Sequence, residues 1–143
     1  MRIQTSIDIH ASVDSVWGVL SDFSQYESWN PLTTRVEGTL DIGETVTLRV
    51  MLSGRKMYRK HVISRVITGK ELGWTIRSQR NWWVHGERVQ RIEDLGNGVV
   101  RYTNDEQVHG VLGVVTGLVY RRVLEGALED VGRALKVRVE STM

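Results

Sequence analysis

The sequence predicts an α+β fold in which one strand and two short helices precede six antiparallel strands and a long C-terminal helix. Three observations lead to this prediction. Polar and apolar residues alternate with period two in one segment after another, glycine-containing turns separate these segments, and helical spacing of apolar residues is confined to regions near the two ends of the chain. Because the strands follow one another without long helices between them, the pattern excludes a parallel α/β sheet.

The N-terminal elements are predicted from an alternating segment and a helix-capping serine. Ile3–Ile9 alternates between apolar and polar side chains, as a half-buried strand does. Ser12 is a suitable N-cap for a short amphipathic helix over Val13–Leu20. A second short helix or turn is predicted over Phe23–Glu27, and Pro31 ends this region.

Six strands and one helix account for the rest of the chain. The strands are predicted at Thr34–Leu40, Glu44–Leu52, Tyr58–Thr68, Leu72–Ser78, Trp83–Asp94 and Val99–Val108. The helix is predicted over Val111–Val139, where Leu124, Leu128, Val131 and Leu135 share one face. At about 1.5 Å per residue, such a helix is long enough to cross a curved sheet.

The last two strands are predicted to form a hairpin around Leu95-Gly96-Asn97-Gly98. If Gly96-Asn97-Gly98 is a three-residue loop, Leu95 pairs with Val99, and the register of all further pairs follows. Side chains alternate between the two faces, so one face of the hairpin carries three cross-strand pairs. These pairs are Arg88 with Glu106, Gln90 with Asn104, and Ile92 with Tyr102.

Composition narrows the classes of function. A chain of 143 residues with 41% hydrophobic and 25% charged residues predicts one globular domain over residues 1–143. The absence of cysteine excludes disulfides and thiolate metal sites. The four histidines lack metal-ligand spacing, so no metal and no cofactor are expected. The 19 basic and 17 acidic residues are scattered along the chain, which argues against nucleic-acid binding.

The predicted location is cytoplasmic, because the N-terminus has no apolar signal segment and the chain has no cysteine. The most apolar stretch, Val111–Tyr120, is shorter than the roughly 20 residues that a membrane span needs. No membrane-spanning segment is therefore expected, and the sequence leaves open whether the protein is a monomer or a homodimer.

Four segments carry a resemblance to a known family: Ile7–Trp17, Trp29-Asn30-Pro31, Glu71-Leu72-Gly73-Trp74 and Glu106–Gly110. With them the whole chain resembles the START-like, or Bet v 1-like, superfamily, in particular its bacterial polyketide cyclase/dehydrase and lipid-transport (SRPBCC) branch. The resemblance implies a helix-grip fold, in which a seven-stranded antiparallel sheet wraps around the long helix and encloses a cavity. Relatives bind lipids, sterols, polyketides, quinones and hormones, and a minority catalyse cyclisation or dehydration. Arg88 stands where many of them have histidine.

The candidate site lies on the inward face of the hairpin. Arg88 and Glu106 are either the charged end of an apolar cavity or an ion pair at its rim. Gln90 and Asn104 either recognise a ligand or hydrogen-bond to each other. The expected ligand-binding residues are Arg88, Gln90, Asn104, Glu106, Tyr102, Trp74, Trp82 and Ile92, with further apolar lining from Val50, Leu52 and Ile76.

These residues favour binding or transport of an apolar or aromatic small molecule. The main alternative is an enzyme of cyclase or dehydratase type, in which Glu106 moves a proton while Arg88 and Tyr102 stabilise an enolate-like oxygen. A third reading is a protein-interaction module that uses Trp83 on the outer face of the sheet.

Overall fold

Seven antiparallel strands form one sheet in the order β1-β7-β6-β5-β4-β3-β2, and a long C-terminal helix packs on it. The computed structural model describes residues 1–76 and 85–141. The elements are β1 (Arg2–Ile9), α1 (Val13–Ser21), a 3-10 helix (Phe23–Ser28), β2 (Thr33–Glu37), β3 (Thr45–Leu52), β4 (Arg55–Ile67), β5 (Glu71–Ile76), β6 (His85–Gly96), β7 (Val99–His109) and α2 (Val111–Ser141). The predicted α+β class and the helix-grip architecture are confirmed.

Side-chain caps direct the chain from β1 to β2. The Ser12 hydroxyl accepts a hydrogen bond from the backbone N–H of Ser15 at 3.1 Å, which confirms the predicted N-cap of α1. After the 3-10 helix, the side-chain oxygen Oδ1 of the buried Asn30 accepts hydrogen bonds from the backbone N–H groups of Leu32 and Thr33 at 3.0 and 2.9 Å. These bonds turn the chain into β2.

Two strand boundaries differ from the predicted ones by three residues, because the chain turns at positions where the apolar pattern gives no signal. The predicted strand Tyr58–Thr68 begins three residues earlier, at Arg55, because Ser53 and Gly54 have positive φ and form a turn that pairs Leu52 with Arg55. The predicted strand Thr34–Leu40 ends at Glu37, because Gly38 has a φ of 134°.

The β6–β7 turn also differs from the prediction, yet the predicted register holds. Gly96, and not Leu95, pairs with Val99, so the loop contains only Asn97 and Gly98, both with positive φ as a type I′ turn requires. The strand has a bulge at Leu95, which lies between the pairs Asp94–Val100 and Gly96–Val99. The loop is one residue shorter than predicted and the bulge adds one residue to the strand, so the two differences cancel. The pairs Ile92–Tyr102, Gln90–Asn104 and Arg88–Glu106 are therefore as predicted.

The helix α2 joins opposite sides of the sheet. Leu128 and Val131 on α2 belong to one buried cluster with Ile3 of β1 and Leu32, and Leu52 of β3 packs against this cluster. Since β1 is at one edge of the sheet and β3 is next to the other, the sheet must curve for both to reach the same part of the helix. The larger core cluster, around Leu20, Trp74 and Tyr102, fills the space between sheet, α1 and the C-terminal part of α2.

On the outer face of the sheet, Asp105 connects three strands. Its carboxylate, which is buried, accepts hydrogen bonds from Arg2 of β1 at 2.8 Å and from Arg91 of β6 at 2.9 Å. The hydrogen bond from Arg2, and then that from Arg91, lowers the pKa of Asp105. The ionised carboxylate thus links β7 to both of its neighbours.

Candidate functional site

An ion pair between neighbouring strands is the chemical centre of the inner face. Arg88 of β6 lies directly opposite Glu106 of β7, and Arg88 Nε donates a hydrogen bond to Glu106 Oε2 at 2.6 Å. Each side chain is only 13% exposed. Because both charges are largely withdrawn from water, this is not the solvated rim pair that the sequence allowed as one reading.

Apolar side chains of β3 and β5, together with His61 of β4, surround this pair. Together they enclose a small cavity of about 30 Å³, which has room for a water molecule but not for an organic ligand. Its lining consists of Leu48, Val50, His61, Trp74, Ile76, Gly86, Glu87, Arg88 and Glu106. Ligand pockets in proteins typically have about 300–1,000 Å³, so an organic ligand would fit only if this space became larger.

A glycine keeps the wall beside Arg88 free of side chain. Gly86 lies two residues before Arg88 on the same face, and a Cβ atom there would be 2.7 Å from the backbone oxygen of Gln107. The position therefore excludes any other residue unless the two strands separate.

His61 of β4 is a site residue that the sequence reasoning missed. Its side chain is 8% exposed, lines the cavity and meets the Trp74 ring edge-on, with the ring centroids 6.5 Å apart. Burial, and then the positive charge of Arg88, lowers the pKa of His61 to about 4. The imidazole is therefore neutral at pH 7, and its buried Nδ1 has no hydrogen-bond partner among the described residues. The available signal was strand alternation, because His61 shares the parity of the buried Ile63.

Tyr102, Gln90 and Asn104 form a separate hydrogen-bonded group inside the core. The Tyr102 hydroxyl donates to Gln90 Oε1 and accepts from Asn104 Nδ2 at 2.8 Å, so the two amides are joined through the phenol and not directly. Burial raises the pKa of Tyr102. Asn104 Oδ1 is buried, and no residue in the described part of the chain hydrogen-bonds to it.

The structure thus divides the predicted site residues into three groups. Arg88, Glu106 and Trp74 line the cavity, together with the predicted Val50 and Ile76. Gln90, Asn104, Tyr102 and Ile92 are buried core residues that do not line it, and Leu52 packs under α2. Trp82 and Trp83 lie outside the described residues. Among the described residues, no group of histidine, aspartate and glutamate side chains is arranged to hold a metal ion.

The family described as polyketide cyclase/dehydrase and lipid transport matches residues 1–140. The chain belongs to this family. No curated protein matches the sequence at a significant level.

Solved structures show that this family member has the START fold. A START superfamily protein from Mycobacterium smegmatis is 20% identical, with a TM-score of 0.77 over 99% of both chains. The ZhuI aromatase/cyclase from Streptomyces sp. R1128 is 17% identical, with a TM-score of 0.76 over 98% of this chain and 93% of the other. Norcoclaurine synthase from Thalictrum flavum, in complex with dopamine and hydroxybenzaldehyde, is 14% identical, with a TM-score of 0.75 over 100% and 88%. At these identities the likeness concerns the fold alone.

The burial of the ion pair predicts a large effect of removing one partner. Arg88→Met leaves the Glu106 carboxylate uncompensated, so we expect it to lower the free energy of unfolding by about 3 kcal/mol in urea titrations. Arg101→Met breaks the pair with Asp8, whose side chains are 45% and 46% exposed, and should cost less than about 1 kcal/mol. The double variant Arg88→Met/Glu106→Gln should recover part of the loss. Equal effects of the two single variants would contradict this.

His61 predicts a specific loss of stability in mild acid. As the pH falls below about 6.5, an unfolded chain protonates this histidine while the folded protein keeps it neutral down to about 4, so protonation favours unfolding. Between these values the group should lower the free energy of unfolding by about 3 kcal/mol. Urea titrations at successive pH values should therefore give a shallower decline for His61→Phe than for the wild type. The exposed His10 provides the control, and a steep decline retained in His61→Phe but lost in His10→Gln would refute the assignment.

Proposed function

We propose that the protein binds a small amphipathic molecule, with an apolar or aromatic body between the inner face of the sheet and α2 and a polar oxygen at Arg88. The observation that supports this most directly is the Arg88–Glu106 pair, 13% exposed on both sides and walled by Val50, Trp74 and Ile76. A structural ion pair needs no apolar cavity beside it. A binding site needs this combination, because apolar walls supply affinity and a few polar groups fix orientation.

Arg88 has hydrogen-bonding capacity to spare. A guanidinium group carries five N–H donors, and only the one on Nε is used by a described residue. The donors on the two Nη atoms suit a carboxylate, phenolate or carbonyl oxygen. Glu106 holds the guanidinium in place and balances its charge when no ligand is bound, which limits the cost of the empty site.

Neutral His61 would complement Arg88. The imidazole has one nitrogen that donates and one that accepts, so its unpartnered Nδ1 can bind a ligand hydroxyl or carbonyl according to its tautomer. An anionic or carbonyl oxygen at Arg88 and a second polar group near His61 would define a ligand with two oxygens on a flat apolar frame. Trp74 provides an aromatic wall for that frame.

We place this activity in the cytoplasm and treat the whole chain as one ligand-binding domain, as the sequence suggests. In residues 1–76 and 85–141, no helix has the length and apolar character needed to cross a membrane.

Binding can be tested with 1-anilinonaphthalene-8-sulfonate, a fluorescent aromatic anion. We expect saturable binding to the folded protein, and Arg88→Met should weaken it at least about tenfold because a charge-assisted hydrogen bond is lost. N-phenyl-1-naphthylamine, which lacks the sulfonate, should be little affected by the same variant. Arg101→Met is the matched control, since it removes an exposed arginine from the same hairpin. Equal sulfonate affinity in the wild type and Arg88→Met would remove Arg88 from the proposal.

A cyclase or dehydratase activity is the second candidate, favoured by the convergence of Arg88, Glu106 and His61 on one cavity. Arg88 would stabilise an enolate oxygen while Glu106 or His61 moves a proton. Tyr102 fits this role less well than the sequence suggested, because its hydroxyl is engaged by Gln90 and Asn104 away from the cavity.

The two candidates differ in one experiment with a synthetic poly-β-keto thioester, whose cyclisation is followed by absorbance. An enzyme should form the aromatic product, and Glu106→Gln should abolish turnover while the thioester still binds. Glu93→Gln, at an exposed position of β6 outside the cavity lining, is the control. Binding without product formation in the wild type would exclude the enzyme and leave the carrier.

A further inference from the structure

Two segments of the sequence contain basic residues and no acidic ones, and the fold brings them together. Between Glu44 and Glu71 the chain has seven lysines and arginines and no acidic residue, and between Glu106 and Glu125 it has two arginines and no acidic residue. The first stretch contains the β3–β4 turn, and the second contains the N-terminal half of α2. Charge is therefore segregated although the net charge is only +2.

These two stretches meet at one end of the molecule, which we call the basic end. A groove of about 370 Å³ lies between the β3–β4 turn and α2. Its lining includes Met51, Leu52, Ser53, Arg122, Val123 and one acidic residue, Asp130. On both segments, basic residues lie within a few sequence positions of the groove lining. They are Arg55, Lys56 and Arg59 on the hairpin and Arg121 and Arg122 on the helix, all exposed and none in an ion pair with another described residue.

The same part of α2 presents an apolar stripe to solvent. Val115, Leu118, Val119 and Val123 have the spacing of one helix face, and they are 56%, 85%, 66% and 41% exposed. Further along the helix, Leu128 and Leu135 occupy the face that packs on the core. The exposed stripe therefore lies on a different face of α2 from the buried one. Several neighbouring aliphatic side chains at this exposure are unusual for a protein surface without a partner.

We propose that the basic end is a docking surface for an anionic phospholipid bilayer. An exposed apolar helix stripe flanked by lysine and arginine is the combination that binds at the interface of such a bilayer. The aliphatic side chains enter the headgroup region, and the basic side chains contact lipid phosphates. A nucleic acid would match the arginines but offer nothing to exposed Leu118 and Val119.

Docking would bring the end of the sheet next to the candidate cavity to the membrane surface. Ile76, which lines the cavity, is the last described residue of β5 and pairs with His61 of β4. His61 follows Arg59, one of the residues of the basic end, by two positions. An apolar ligand could pass between bilayer and cavity without crossing water. Docking itself needs neither Arg88 nor a bound ligand, so the two proposals can fail separately.

Co-sedimentation with phospholipid vesicles tests the surface. We expect the wild type to pellet with vesicles of phosphatidylcholine mixed with phosphatidylglycerol, much less with phosphatidylcholine alone, and less at high ionic strength. Leu118→Glu should weaken binding at least about tenfold, and Val119→Glu should do the same. Val137→Glu is the matched control, because Val137 is 68% exposed on the far half of the same helix.

The basic residues have their own charge-matched control. The triple variant Arg55→Ser/Arg121→Ser/Arg122→Ser should lose binding to the anionic vesicles by at least about tenfold. Lys70→Ser/Arg101→Ser/Arg133→Ser changes the net charge equally at other places and should bind like the wild type. Arg88→Met should also pellet normally, and urea titrations should show that every variant is folded.

Four results would overturn the proposal. One is the absence of wild-type binding to the anionic vesicles. Another is equal binding by Leu118→Glu and Val137→Glu. The third is binding of an RNA or DNA oligonucleotide that depends on the arginines but not on Leu118, without vesicle binding; this would assign the basic end to nucleic acid. A dimer in size-exclusion chromatography that Leu118→Glu dissolves would likewise assign the stripe to a second copy of the chain.

Discussion

The pairing register of β6 and β7 is the constraint on which the rest of the structure depends. It places Arg88 beside Glu106 on the inner face and Arg91 near Asp105 on the outer face. A shift by one residue would exchange the faces, exposing Tyr102 and burying the charges that now lie outside. The register is held at the turn by Asn97 and Gly98 and by the bulge at Leu95, and on the outer face by the ion pairs of Asp105.

The inner face carries two clusters of polar residues, which differ in how much of their hydrogen-bonding capacity is satisfied within the protein. In the core, the Tyr102 hydroxyl is shared by Gln90 and Asn104, so most of this group's capacity is satisfied within the protein. Near the cavity, Arg88 and His61 retain donors and acceptors that no described residue uses. Buried polar groups are normally satisfied, and capacity left free beside an apolar cavity is where a ligand gains both affinity and orientation.

Much of the fold could be predicted because strand alternation and the C-terminal helical spacing are strong in this sequence, and the resemblance to relatives covers the whole chain. The Arg88–Glu106 pairing was predictable from parity, although the turn was wrong in detail: a loop one residue shorter was offset by a bulge that has no sequence signal of its own. Which inward-facing residues lie in the core and which line the cavity was not predictable. Gln90 and Arg88 have the same strand parity, and they differ only in how closely side chains from neighbouring strands fill the space around them. His61 was missed because a single histidine on a strand with five lysines and arginines does not stand out, although its parity places it on the inner face; its neutral character comes from burial beside Arg88.

The pairing of β1 with β7 has a consequence for how the chain reaches its folded state. Ile3 pairs with Glu106, and Met1 donates its amino hydrogen bond to the carbonyl of Val108, so the first strand finds its only sheet neighbour among the described residues near the far end of the chain. Such sequence-distant contacts make assembly slow, since a long loop must close before they form. During synthesis on the ribosome, β1 therefore emerges before β7 and stays unpaired until β7 has left the exit tunnel. The exposed edge of an incomplete sheet is the state in which this protein is most open to aggregation and to chaperones.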